Sequence, residues 1–112
     1  MQQDWNMNRA IGWSSMALGV ATGLVMGMWS FAGPVPVPEM LGEYSDVPRR
    51  LARLGHIAFF GLGILNLLLA RDLSNLDLDQ GQRQVAAWTM NFGNIFLPLT
   101  LFAAAAWHRS EE

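Results

Sequence analysis

Few residues in this chain could do chemistry. Cysteine is absent, so thiol nucleophiles, disulfides and thiolate metal sites are excluded. Two histidines remain, His56 and His108. Histidines on neighbouring helices are a ligand type that holds haem iron, so these two come first. Arg53 lies three residues before His56 and shares its helical face. With Phe59 and Phe60, this pair also has the residue types that meet a quinone headgroup. No two carboxylates sit inside an apolar run, which argues against proton pumping and carboxylate-bridged metals. Nothing resembles a nucleophile with its base. No catalytic residue and no metal site is assigned, and an enzyme working alone is the least supported class.

The elements that must position these residues are apolar. Ile11 to Ala32 is a run of 22 residues without a charge. A bilayer-spanning helix needs about 20 such residues. A second run covers Leu51 to Ala70, and a third, of 23 residues, covers Val85 to Trp107. Charged residues make up only 14% of the chain, against about 25% in a soluble domain. The pattern predicts an all-α integral membrane protein, one domain over residues 1–112. Its three transmembrane helices are expected at about 11–32, 48–70 and 82–108. A secretory signal peptide competes for the first run, with Arg9 before it and Ser30-Phe31-Ala32 at its end. The run is longer than a signal core, so an uncleaved anchor is expected.

Depth tests the histidine pair. The second span centres near Gly61 and the third near Phe96. His56 then lies ~7 Å from the midplane and His108 ~18 Å, on the same side. Two axial ligands of one haem must share a depth, so one haem held by both is disfavoured. His56 alone could ligate a haem or chlorin if another subunit supplied the rest. Its simpler role is a bond to a neighbouring helix or a headgroup. His108 suits the interface and a helix C-terminus.

Other residues point to helix packing. Ser15, Gly19, Gly23 and Gly27 recur every fourth position and form a stripe that lets a second helix approach closely. Asn66, Asn91 and Asn94 fall inside the second and third runs, where an amide should face a helix rather than lipid. Asn66 and Asn91 should meet, because antiparallel helices bring them to similar depths. Pro98 sits in the third run and should kink it.

The connectors are polar. Pro34, Pro36 and Pro38 stiffen the first loop. Ser45 or Asp46 can cap the second helix, with Pro48 in its first turn. Arg49, Arg50 and Arg53 follow, suited to headgroups or to Glu39, Glu43 and Asp46. Asp79 and Gln82 have capping-box spacing at the start of the third helix. Asp77, Asp79 and Gly81 lack the bidentate glutamate of a calcium loop.

Net charge is −2 and lysine is absent, so no nucleic-acid partner is expected. Arg9, Arg71 and Arg83 fall on one side of the membrane, and Arg49, Arg50, Arg53 and Arg109 on the other. This bias favours the proline loop and C-terminus as cytoplasmic. Trp13 and Trp88 mark one interface, Trp29 and Trp107 the other. The expected function is a small accessory subunit stabilising a larger membrane complex, with membrane subunits and bound lipid as partners. One alternative is a haem- or chlorin-binding electron-transfer subunit using His56, with Arg53 and His108 as further contacts. The other is a self-assembling channel or small transporter using the Asn91–Asn94 face.

Overall fold

The computed structural model describes residues 5–29 and 33–109, with Arg109 described in its backbone only. Met1 to Asp4, Ser30-Phe31-Ala32 and the last three residues of the tail lie outside the described residues. Three long helices make the fold: α1 (Asn6–Gly27), α2 (Val47–Asp72) and α3 (Gln80–Arg109). Short 3-10 turns at Glu39–Leu41 and Leu73–Asn75 lie in the connections. All three helices are long and apolar enough to cross a membrane.

The first helix is displaced from its expected span of 11–32. It begins at Asn6 and ends at Gly27. At its start, Asn8 is 2% exposed and bonded to the other helices, which draws the polar segment into the bundle. At its end, nothing lies within 4 Å of a Cβ built on Gly27. The chain then turns, and the Val35 amide bonds back to the Met28 carbonyl at 3.2 Å. The other two helices exceed their expected spans by one or two residues at each end. Asp79 and Gln82 cap α3 reciprocally, at 2.8 and 3.0 Å. Asp46 stands at the N-cap of α2 but makes no capping bond there.

α2 is the central helix. α1 and α3 each pack along it and meet one another over a much smaller surface. The body is a slab, 54 × 28 × 16 Å. Small residues set the α1–α2 distance. A Cβ on Gly63 would sit 2.8 Å from the Gly12 carbonyl oxygen, and one on Gly12 would sit 3.0 Å from the Gly63 carbonyl oxygen. The two backbones therefore touch at this crossing. Farther along, Gly19 receives Phe60 and Gly23 receives the His56 ring. On the α3 side, Gly55 receives the Phe102 ring.

The interior is small and polar while the exterior is bulky. Leu24, Ile57, Val85 and Trp107 are well exposed. Apolar clusters close the two ends: Trp5, Ala70, Leu73 and Ala87 at one, and Leu41, Ala52 and Ala105 at the other. Such a distribution suits lipid, where burial of apolar side chains adds little and close backbone packing adds more.

Substituting alanine at Gly12 or Gly63 is expected to force the helices apart and destabilise the fold by about 1–3 kcal/mol. Alanine at Gly27 or Gly61, where a Cβ meets nothing within 4 Å, is expected to be neutral. Unfolding of the four variants in the same detergent, followed by circular dichroism, checks this order.

Candidate functional site

The largest concentration of polar side chains lies between the helices. Five of them, Asn8 and Ser15 from α1, Asn66 from α2, and Asn91 and Asn94 from α3, are each at most 4% exposed. Asn66 is the hub. Its Oδ1 accepts from Asn8 Nδ2 at 2.8 Å, and its Nδ2 donates to Asn91 Oδ1 at 3.0 Å and Asn94 Oδ1 at 3.1 Å. Asn91 Nδ2 donates to Asn8 Oδ1 at 3.3 Å, closing a ring of three amides across three helices. Asn8 also donates to the Ala87 carbonyl at 3.0 Å. A branch runs from Asn94 Nδ2 to Ser15 Oγ at 2.6 Å, and from Ser15 Oγ to the Phe59 carbonyl at 2.6 Å. Every side-chain nitrogen and oxygen of the cluster thus has a partner.

Helix periodicity builds this arrangement. Asn8, Gly12, Ser15, Gly19 and Gly23 follow one face of α1 at steps of three and four. The glycines bring α1 close to α2, and the polar members then reach across. On α3, Asn91 and Asn94 share a face with buried Pro98. The expected Asn66–Asn91 contact is present. Asn8 is the member that sequence reasoning missed. It lies one turn before Gly12 on the small-residue face, and this register was the available signal.

The histidine region is arranged differently. His56 Nδ1 lies 3.2 Å from Thr22 Oγ1. The Thr22 hydroxyl also lies 2.8 Å from the Leu18 carbonyl and 3.1 Å from the Gly19 carbonyl. The ring lies against Gly23 and faces α1. His108 is half-buried at the last turn of α3. By helical rise, His56 lies ~13 Å along α2 from its start, whereas His108 is next to the end of α3. Among the described residues, no group of three or more His, Asp or Glu could hold a metal.

Arg53, His56, Phe59 and Phe60 do not converge. Arg53 turns to the loop, donating to the Tyr44 carbonyl at 2.8 Å, with its guanidinium 3.9 Å from the Tyr44 ring centre. Phe59 is buried beside Phe102, with ring centres 5.8 Å apart. Phe60 packs on Gly19. A quinone headgroup would find these four groups facing different neighbours.

Two apolar clefts follow from the sparse contact between α1 and α3. One, of about 360 Å³, lies under the proline loop and is lined by Val25, Met26, Trp29, Ala52, Phe102 and Ala105. The other, of about 320 Å³, is lined by Ile11, Leu18, Phe59, Ile95 and Leu99, with Ser15 and Asn94 at its base. On the outer face of α3, Trp88, Phe92 and Phe96 form a ridge at steps of four. Their ring centres are 6.1 and 5.6 Å apart, and all three are about half exposed. Comparison with protein families, with curated proteins and with solved structures finds no match.

Replacing Asn66 by alanine leaves partners on both flanking helices unpaired in an apolar interior. The expected cost is about 2–4 kcal/mol, more than the ~0.6–2 kcal/mol of one interhelical bond. Thr100, whose hydroxyl bonds to the Phe96 carbonyl of its own helix, is the control, and Thr100→Val is expected to change stability by less than about 0.5 kcal/mol. Denaturant unfolding of the two variants in mixed micelles measures the difference.

Proposed function

We propose that this chain is a structural accessory subunit of a larger membrane protein complex. The observation that carries the reading is the closed polar interior. The asparagine and serine side chains at the centre of the slab bond to one another and to backbone, so each of their nitrogens and oxygens already has a partner inside the protein. The same closure weighs against the channel or transporter reading, because Asn91 and Asn94 face the cluster. What the slab offers to its surroundings is shape. It has a stacked aromatic ridge on α3 and two apolar clefts beside α1. Aromatic side chains are enriched where proteins meet.

One observation favours a second reading, an electron-transfer subunit with His56 as a ligand. His56 Nδ1 is held at Thr22 Oγ1, and its Nε2 makes no hydrogen bond among the described residues. Such a subunit would need a neighbour to supply the rest of the site, since His108 lies too far along its own helix.

Gentle extraction from the native membrane tests both readings in one sample. The accessory-subunit reading expects a particle much heavier than the 12.4 kDa chain, which releases the chain when Trp88, Phe92 and Phe96 are changed to alanine. It also expects an absorption spectrum that Ala at His56 does not alter. A chain that migrates alone contradicts it. A Soret or chlorin band lost in His56→Ala establishes the second reading.

The proposed orientation has the start of α2 and the end of α3 in the cytoplasm, since Arg49, Arg50, Arg53 and Arg109 gather there. A fluorescent reporter at the C-terminus should then be active and a periplasmic-type phosphatase reporter silent. The reverse pattern would invert the topology.

A further inference from the structure

We propose that the outer face of α2 near its start binds one anionic phospholipid, with the phosphate at Arg50 and Arg53 and an acyl chain along Leu54 and Ile57. A groove of about 550 Å³ lies there, lined by Tyr44, Val47, Arg50, Leu51, Arg53, Leu54 and Ile57. Its two ends differ in chemistry. The upper end holds two guanidinium groups at positions three apart, and the lower end is aliphatic.

Among the described residues, no carboxylate forms an ion pair with Arg49, Arg50 or Arg53. Asp46, the nearest acid in sequence, spends a carboxylate oxygen on the Glu43 amide at 2.8 Å. It stands at the N-cap of α2 without a capping bond. Arg53 is held in place, stacked on Tyr44 and bonded to its carbonyl. That bond uses one of five guanidinium N–H groups and leaves others for a phosphate. Arg50 is exposed. The Tyr44 loop is itself shaped at Gly42, whose φ of +67° few other residues adopt, and where the Asp46 carboxylate occupies the position of a Cβ.

The aliphatic end fits one leaflet. Leu54 is 50% and Ile57 59% exposed, and Gly61, next on this face, leaves open space where a side chain would stand. From Arg53 to Gly61 the helix rises ~12 Å, close to the ~15 Å half-thickness of a hydrocarbon core. A phosphate with an attached acyl chain satisfies both ends together. A free phosphate would use only the upper one.

Native mass spectrometry of the full-length chain in detergent tests this, with phosphatidylglycerol and phosphatidylcholine of identical acyl chains as probes. The expected preference for phosphatidylglycerol is roughly tenfold or more, falling about fivefold for each arginine changed to glutamine. Arg50→Gln alone supplies the reading if the double variant with Arg53→Gln does not fold, because no side-chain bond of Arg50 would be lost among the described residues. Arg71→Gln, at the opposite end of α2, should leave the preference unchanged. Excess inorganic phosphate should not displace the lipid. Equal retention of the two lipids, an unchanged preference in Arg50→Gln, an equal loss in Arg71→Gln, or displacement by phosphate would each overturn the proposal.

Discussion

In a medium without water, an amide side chain must find its partners inside the protein. The three helices of this chain are arranged around that requirement. Asn66 on the central helix offers one acceptor and two donors, and the flanking helices fill all three. No smaller set would serve. Without Asn8, the Asn66 carbonyl oxygen and the Asn91 amide would lose partners. Without Asn94, Ser15 would lose the donor that fixes it against the Phe59 carbonyl. Because the ring includes one amide from each helix, it specifies a three-helix arrangement and not merely a pair.

The glycine face makes this geometry reachable. Short polar side chains bridge helices only when the backbones lie close. Gly12 and Gly63 provide that approach with carbonyl-to-backbone contact. The glycines and the asparagines are thus two parts of one device, the first setting distance and the second setting register. The consequence for function is that the polar chemistry in the middle of the slab is spent on cohesion. Features that face outward remain, namely the aromatic ridge, the apolar clefts and the arginine end.

Much of this was legible in the sequence, for identifiable reasons. Uncharged runs mark the helices because the bilayer tolerates few charges. Ser15, Gly19 and Gly23 were readable from spacing, and the Asn66–Asn91 contact from depth in antiparallel helices. Gly27 shares the period but not the packing, since periodicity does not say where a helix leaves its partner. Asn8 was hidden by its setting, a polar segment that reads as lying outside the membrane until the small-residue register is extended back by one turn. Arg53 and His56 share a helical face, yet a long flexible side chain and a ring pressed on Gly23 reach different neighbours. Helical spacing constrains where a side chain starts and not where it ends.

Exchange of the asparagine side-chain amides with water, followed by nuclear magnetic resonance on selectively labelled protein in micelles, tests the central claim most directly. Asn8, Asn66, Asn91 and Asn94 should give resolved, strongly protected side-chain signals, while exposed Asn75 exchanges at once. Loss of protection at the other three in an Asn66→Ala protein would trace that protection to the hub. If the four amides exchange as fast as Asn75, the polar interior is open to water and the account of a closed, cohesive cluster is contradicted.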